Sequence, residues 1–362
     1  VTIVFAGGGT GGHLYPAIAV ADALRERGAD VAFIGTADRL EATIVPKAGY
    51  PLYTITSHWL PRTLSPELFR TLAANVRGIV QSLRLLAARR PDLVIATGGY
   101  VAFPVALAAR IRAMLRLSRA PVVLLEPNAA PGLTNRLLTP IVDEIWDAQT
   151  TGIPIRAALR RLPSRAQACG RLGLDPARRT LVAMGGSQGA RTINDAVLHT
   201  IESGAMPPGW QLLHLTGERD YDRVAAALRS LAGRGVELAC TVRPYLDEMG
   251  DAYAVADLLL TRAGASTLGE LTALRKPAIL APYPYAAQAH QAANAVRLES
   301  TGAAVVVTDA ELQGGALPAL LAATTKPERL AALTGNAQRL EGSDPLTAIL
   351  ARIDTLAARK NK

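Results

Sequence analysis

Five short segments carry residue types suited to chemistry, and each follows a short apolar run. The first is Gly7-Gly8-Gly9-Thr10-Gly11-Gly12-His13. Gly7, Gly9 and Gly12 satisfy GxGxxG, whose bare backbone and following helix N-terminus can approach a diphosphate. A dinucleotide enzyme places an acid at the end of the second strand to hold the ribose. Here that strand ends Phe33-Ile34-Gly35-Thr36, which argues against such an enzyme. His13 stands where the helix begins, and the positive end of the helix dipole favours neutral imidazole. It is either a general base or a histidine that merely hydrogen-bonds around the turn.

The arrangement recurs at Gly185-Gly186-Ser187-Gln188-Gly189-Ala190, where Ser187 and the amides after it can donate to phosphate oxygens. A tight turn with a capping serine is the plainer alternative. Arg262-Ala263-Gly264-Ala265-Ser266-Thr267 sets another helix start beside a cation, and two such anion sites suit a diphosphate. Glu270, three residues after Thr267, either closes a capping box or accepts from both hydroxyls of a ribose. Thr97-Gly98-Gly99-Tyr100 and Glu126-Pro127-Asn128 place small and polar groups after two further strands. Asp220-Tyr221-Asp222 has a metal-binding spacing but sits in the charged run 218–223. That run is read as a solvated face, and no metal is expected.

The elements that must position these turns are short apolar runs at 2–6, 31–34, 93–96, 122–125, 181–184, 212–215, 257–260, 278–281 and 303–307, separated by helix-length segments. They predict an α/β protein with two Rossmann-like, doubly wound parallel sheets. Such sheets bind ligands beyond the carboxyl ends of their strands, where the turns lie. A length of 362 residues fits two domains. The stretch 150–179 has no clear strand, which places the boundary near Pro163. Residues 1–163 then form one domain, 164–344 a second, and 345–362 a terminal helix with a basic tail. Hydrophobic content of 49% with 19% charged residues excludes disorder. Cys169 and Cys240 lack metal-site spacing, so neither a metal nor a disulfide framework is expected and a reducing, cytosolic setting fits. Val1–Phe5 is too short for a signal peptide core, and no run reaches the length of a membrane span.

Taken together the segments GGGTGGHLYP (7–16), ATGGYVAFP (96–104), EPNAAPGLTNR (126–136), TGIPIR (151–156), GGSQGARTIN (185–194), TRAGASTLGE (261–270) and HQAANA (290–295) resemble the peptidoglycan N-acetylglucosaminyltransferases of the MurG type. The resemblance implies two Rossmann-like domains facing across a cleft, the GT-B arrangement, with UDP-N-acetylglucosamine as a substrate and no cofactor or metal. The implied reaction inverts the anomeric centre and converts lipid I into lipid II at the cytoplasmic face of the cell membrane. On the donor side it implies Arg156, Gly186, Ser187, Gln188, the backbone near Leu246, Arg262, Gly264, Ala265, Thr267, Glu270 at the ribose, and His290 and Gln291 at the sugar and diphosphate. On the acceptor side it implies Thr10, Gly11, Gly12, Tyr100 and Asn128, with His13 as the general base. Gln288-Ala289 stands where many relatives are acidic, and Phe103 where many have a small residue. The alternatives are a UDP-N-acetylglucosamine 2-epimerase, another GT-B transferase, or a non-enzymatic nucleotide- or membrane-binding module.

Between Ser57 and Arg119 ten arginines face two acids, within a chain of net charge +9. Arg70, Arg77 and Arg84 share one face of a helix predicted over 66–89, with Leu72, Val76, Ile79 and Leu83 on another. Arg112, Arg116 and Arg119 are expected to share a second basic face. A polyprenyl-diphosphate-linked acceptor requires a visit to the bilayer, and these arginines suit an anionic membrane surface; a solvated helical face is the alternative. Nucleic acid is excluded as a partner by the 4% aromatic content and the lack of any recognised motif.

Overall fold

The structure is a computed structural model and describes residues 1–59, 66–186, 188–236, 239–286, 289–340 and 344–360. The chain divides into two compact units, Val1–Arg156 with Gly342–Lys362, and Ala157–Glu341.

The first unit runs β1 (Thr2–Gly7), α1 (Gly11–Glu26), β2 (Asp30–Gly35), α2 (Leu40–Lys47), β3 (Leu52–Thr54), α3 (Pro66–Arg89), β4 (Leu93–Gly98), α4 (Ala102–Met114), β5 (Val122–Glu126), α5 (Leu133–Leu138) and β6 (Glu144–Asp147). Its parallel strands lie in the order β3-β2-β1-β4-β5-β6. Ile3, Phe5, Val94, Ile95, Val123 and Leu124 are fully buried, because helices cover both faces. Each such side chain contributes roughly 1.5–3 kcal/mol on leaving water.

The second unit runs α6 (Arg165–Leu172), β7 (Arg179–Met184), α7 (Arg191–Glu202), β8 (Trp210–Leu215), α8 (Tyr221–Gly233), β9 (Cys240–Arg243), α9 (Met249–Val255), β10 (Leu258–Thr261), α10 (Ala265–Ala273), β11 (Ala278–Leu280), α11 (His290–Glu299), β12 (Ala304–Val306), α12 (Asp309–Gln313), α13 (Leu317–Thr324) and α14 (Pro327–Gln338). Its parallel strands are ordered β12-β11-β10-β7-β8-β9. The last helix, α15 (Pro345–Lys360), belongs to the first unit, where Leu346, Ile349, Leu350, Ile353 and Leu356 join the core beside α1. The side chains of the basic tail lie outside the described residues.

All nine expected strands form, and β3, β6 and β9 are additional. Those three are three or four residues long with mostly half-exposed side chains, so they lack an apolar run to announce them. Helix α1 starts at Gly11, two residues before His13, and contains Pro16. Pro16 is the sixth residue, past the first turn, so it removes the amide that would bond the Gly12 carbonyl. Helix α4 ends at Met114, and Arg116 takes a left-handed φ of 57°. Arg112, Arg116 and Arg119 therefore do not share a helical face, contrary to the sequence expectation.

Candidate active site

In the first unit the register between β1 and β4 shifts after Ala6 and brings Gly7 opposite Gly98. The glycine turn and the Thr97–Tyr100 turn are thereby stacked together. A Cβ on Gly98 would lie 2.7 Å from His13 Cε1 and 2.9 Å from Asn135 Nδ2, so only glycine admits both side chains. Thr10 is the N-cap of α1 and its carbonyl accepts from the His13 amide at 3.2 Å. His13 is the third residue of the helix, and the Tyr100 ring lies beside Gly9. Glu126 ends β5, is 3% exposed and uses both oxygens: Oε1 accepts from the amide and side chain of Asn128, and Oε2 from Asn135 Nδ2 at 2.5 Å. His13, Tyr100 and Asn128 are thus gathered at one sheet edge, supported by Glu126 of the same turn and by Asn135, which the sequence reading did not single out.

Glu41 explains why the first turn is not a dinucleotide site. Fully buried in the first turn of α2, its Oε2 accepts from the Gly9 amide at 2.9 Å. Its Oε1 accepts from the amide and hydroxyl of Thr36 at 3.1 and 2.7 Å. The acid missing from the end of β2 enters six residues beyond Gly35, and it bonds the turn itself instead of a ribose.

In the second unit the turn after β7 packs on the turn after β8. A Cβ on Gly189 would lie 2.1 Å from Thr216 O, and one on Gly217 would lie 2.6 Å from Gly189 Cα. Asn194 holds this contact from behind, donating to Thr216 O at 3.0 Å and to Asp220 Oδ2 at 2.7 Å. Its Oδ1 lies 2.9 Å from Nε2 of the fully buried His214, whose pKa burial pushes down to about 4. Asp220 also accepts from Arg223, while Glu218, Arg219, Asp222 and Arg223 are exposed, so the charged run is a largely solvated face with Asp220 turned inward. The Arg223 guanidinium beside it holds the Asp220 carboxyl below its ordinary range. Gly186, Gln188 and Gly189 line the turn, and among the described residues no carboxylate accepts from its amides. Ser187 lies outside the described residues.

Glu270 is six per cent exposed and accepts from the Tyr253 hydroxyl of α9. The N-cap of α10 is Gly264, with Ala265 first and Thr267 third in the helix, so Thr267 and Glu270 form no capping box. Gln291 Oε1 accepts from the Tyr283 amide at 2.9 Å, and Asn294 donates to Ala263 O at 3.1 Å, which docks the start of α11 on the Arg262–Gly264 turn. His290 opens that helix after Ala289, which takes a left-handed φ of 53°, whereas Gln288 lies outside the described residues. Leu246 lies half-buried between β9 and α9.

Residues 3–146 match the glycosyltransferase family 28 N-terminal domain, and residues 180–344 match the C-terminal domain of the same family. The chain belongs to glycosyltransferase family 28, in its MurG branch. One curated relative, from Halothermothrix orenii, is 42% identical over 88% of this chain and 89% of its own length. It is named UDP-N-acetylglucosamine--N-acetylmuramyl-(pentapeptide) pyrophosphoryl-undecaprenol N-acetylglucosamine transferase. The crystal structure of Acinetobacter baumannii MurG superposes with a TM-score of 0.78 at 25% identity, covering 98% of this chain and 99% of that one. The calicheamicin glycosyltransferase CalG4 shares the fold, with a TM-score of 0.66 at 15% identity over 99% of this chain and 98% of its own. The MurG-type resemblance of the motifs is thereby borne out, as is the pair of doubly wound parallel sheets.

Two anticipated site residues of this family-28 enzyme sit in surroundings that their sequence positions did not disclose. Arg156, anticipated beside the nucleotide, belongs to the first unit, with its guanidinium 5.1 Å from the centroid of the Tyr15 ring on α1. Arg262, anticipated as a cation for the diphosphate, is 8% exposed and donates to the carbonyls of Ala281 and Pro282 and to Asp309. Phe103 packs partly buried against the first unit's core. Arg70, Arg77 and Arg84 are exposed along α3, and Phe69, Leu72, Val76 and Val80 are exposed apolar residues on the same helix. Leu72 and Val76 therefore do not share the burial of Ile79 and Leu83, which pack on the core. Arg112 donates to Leu117 O at 3.2 Å at the exposed end of α4, next to Arg116. Among the described residues no helix is long and apolar enough to cross a membrane.

Proposed function

We propose that this family-28 glycosyltransferase moves N-acetylglucosamine from UDP-N-acetylglucosamine to the 4-hydroxyl of the N-acetylmuramic acid of a polyprenyl-diphosphate-linked acceptor, giving lipid II. The observation that carries the proposal is the 42% identity, along nearly the whole chain, to a transferase named for that reaction. The acceptor oxygen attacks the anomeric carbon opposite UDP, the bond to the phosphate oxygen breaks, and UDP leaves with the electron pair. His13 takes the hydroxyl proton. Glu41 and Glu126 are acids at that edge, and both oxygens of each accept hydrogen bonds, from Gly9 and Thr36 and from Asn128 and Asn135, which favours His13 as the base.

Thr10, Gly11, Gly12, Tyr100 and Asn128 line the acceptor side of the first unit. The Gly185–Ala190 turn, the backbone near Leu246, the start of α10 at Gly264 and Ala265, and Thr267, Glu270, His290 and Gln291 hold the donor. The N-termini of α7 and α10 offset the charge growing on the departing diphosphate, a task that needs neither a metal nor a cofactor in this reading. Arg156 borders the α1 turn in the first unit, its guanidinium over the Tyr15 ring. The arginines of α3, interleaved with exposed Phe69, Leu72, Val76 and Val80, support reversible docking on an anionic leaflet at the cytoplasmic face.

The test is UDP release from UDP-N-acetylglucosamine with and without a lipid I analogue. Release by the native chain should depend on acceptor, and His13→Ala should lower turnover by about 10²–10⁴ while leaving donor affinity in place. Release indifferent to acceptor would overturn the assignment, and normal turnover of the variant would remove His13 as base.

A further inference from the structure

We propose that Asp309, through its ion pair with Arg262, is a positioning residue for the donor, and the proposal rests on the donor reading given above. Asp309 lies in none of the segments whose motifs suggested chemistry. What points to it is the alignment of four neighbouring strands. Met184 of β7 pairs with Thr261 of β10, Thr261 with Leu280 of β11, and Leu280 with Val306 of β12. The residues that follow each strand therefore emerge along one edge. Arg262 follows β10 directly, Ala281 and Pro282 follow β11, Asp309 opens α12 beyond β12, and Thr192 is the second residue of α7 behind the Gly185–Ala190 turn.

One side-chain cluster ties all four. Arg262 Nη1 donates to Ala281 O at 3.0 Å and to Asp309 Oδ1, and Thr192 Oγ1 donates to Asp309 Oδ2 at 3.0 Å. The side chains of Arg262 and Asp309 are only 10% and 13% exposed. The Arg262 guanidinium lies 5.5 Å from the Tyr283 ring centroid, and the Tyr283 amide holds Gln291 at 2.9 Å. Arg262 spends its donors on carbonyls and a carboxylate, so its positive charge is matched inside the protein. Its action on the donor runs through the turns it fixes rather than through a bond to phosphate. A buried cation needs its counter-ion, and Asp309 is that ion. Without it the guanidinium turns towards another anion or towards water, and the phosphate turn behind Thr192 loses its link to the Tyr283–Gln291 segment.

The experiment is calorimetric titration of UDP into the native chain, Asp309→Ala, Asp309→Asn and Thr192→Val. KM for UDP-N-acetylglucosamine, KM for the lipid-linked acceptor analogue, and melting temperature are measured on the same proteins. Asp309→Ala should weaken UDP and raise the donor KM about tenfold, with the acceptor KM unmoved. Asp309→Asn, which keeps one accepting oxygen, and Thr192→Val, which removes one link, should each weaken UDP about threefold. A folded Asp309→Ala chain with native UDP affinity, or one whose two KM values rise together, overturns the proposal. If that variant does not fold, native affinity in both milder variants overturns it. A native chain that does not bind UDP overturns the donor reading and this proposal with it; native binding that no variant alters overturns this proposal alone.

Discussion

The two glycine turns look alike in sequence and are built in opposite ways. The first is bonded by an acid from its own unit: Glu41 takes the Gly9 amide and both donors of Thr36. The second has backbone pressed against backbone, Gly189 on Thr216 and Gly217, with Asn194 and His214 beneath. A glycine signature therefore reports that chain must approach something closely, and the partner can be a carboxylate, another turn or a ligand. Only the second turn keeps its amides clear of carboxylates among the described residues, which is the property a donor diphosphate requires.

The contrast can be broken most forcefully at Glu41. Glu41→Ala leaves the Gly9 and Thr36 donors buried without an acceptor and should cost about 4 kcal/mol, with Glu41→Gln costing less. Urea unfolding measures both, and equal stability of all three proteins would show that the clamp is ornamental. A somewhat smaller effect is expected in the second unit on acidification. The folded pKa of His214 is about 4, against 6.5 for the ordinary imidazole, so the unfolded chain takes the proton first. Stability from neutral His214 is complete above about pH 6.5 and is lost as the pH falls through about 4, amounting to about 3 kcal/mol. Hydrogen exchange over β8 should speed up across that window in the native chain and stay flatter in His214→Leu; parallel pH dependences would clear His214. Smallest is an effect confined to the first unit. Arg70→Glu with Arg77→Glu should weaken binding to phosphatidylserine vesicles by about 1 kcal/mol or more per site, and native binding itself should fall with salt. Unchanged binding by that variant would remove α3 as the docking face.

Much of this was legible in advance, for identifiable reasons. Central strands are continuous apolar runs because both faces are covered, so all eight were readable, and the edge strand β12 with them. Edge strands such as β3 and β9 are short and half-exposed, with no apolar run to announce them. His13, Tyr100, Glu270 and Gln291 were visible because their motifs are local. Their supports were not: Glu41, Asn135 and Asp309 reach the site only through helix placement and strand register. Arg262 was visible, but sequence does not show that Asp309, 47 residues later, neutralises it. Thr267 and Glu270 were ambiguous until the N-cap was located at Gly264.

Helix α15 has a consequence for the order of assembly. Leu346, Ile349, Leu350, Ile353 and Leu356 complete the core around α1, yet the ribosome delivers them after the entire second unit. During synthesis the first unit emerges without the helix that covers the apolar face of α1 in the finished fold. The second unit can fold while its neighbour waits, so the half made first is the half finished last.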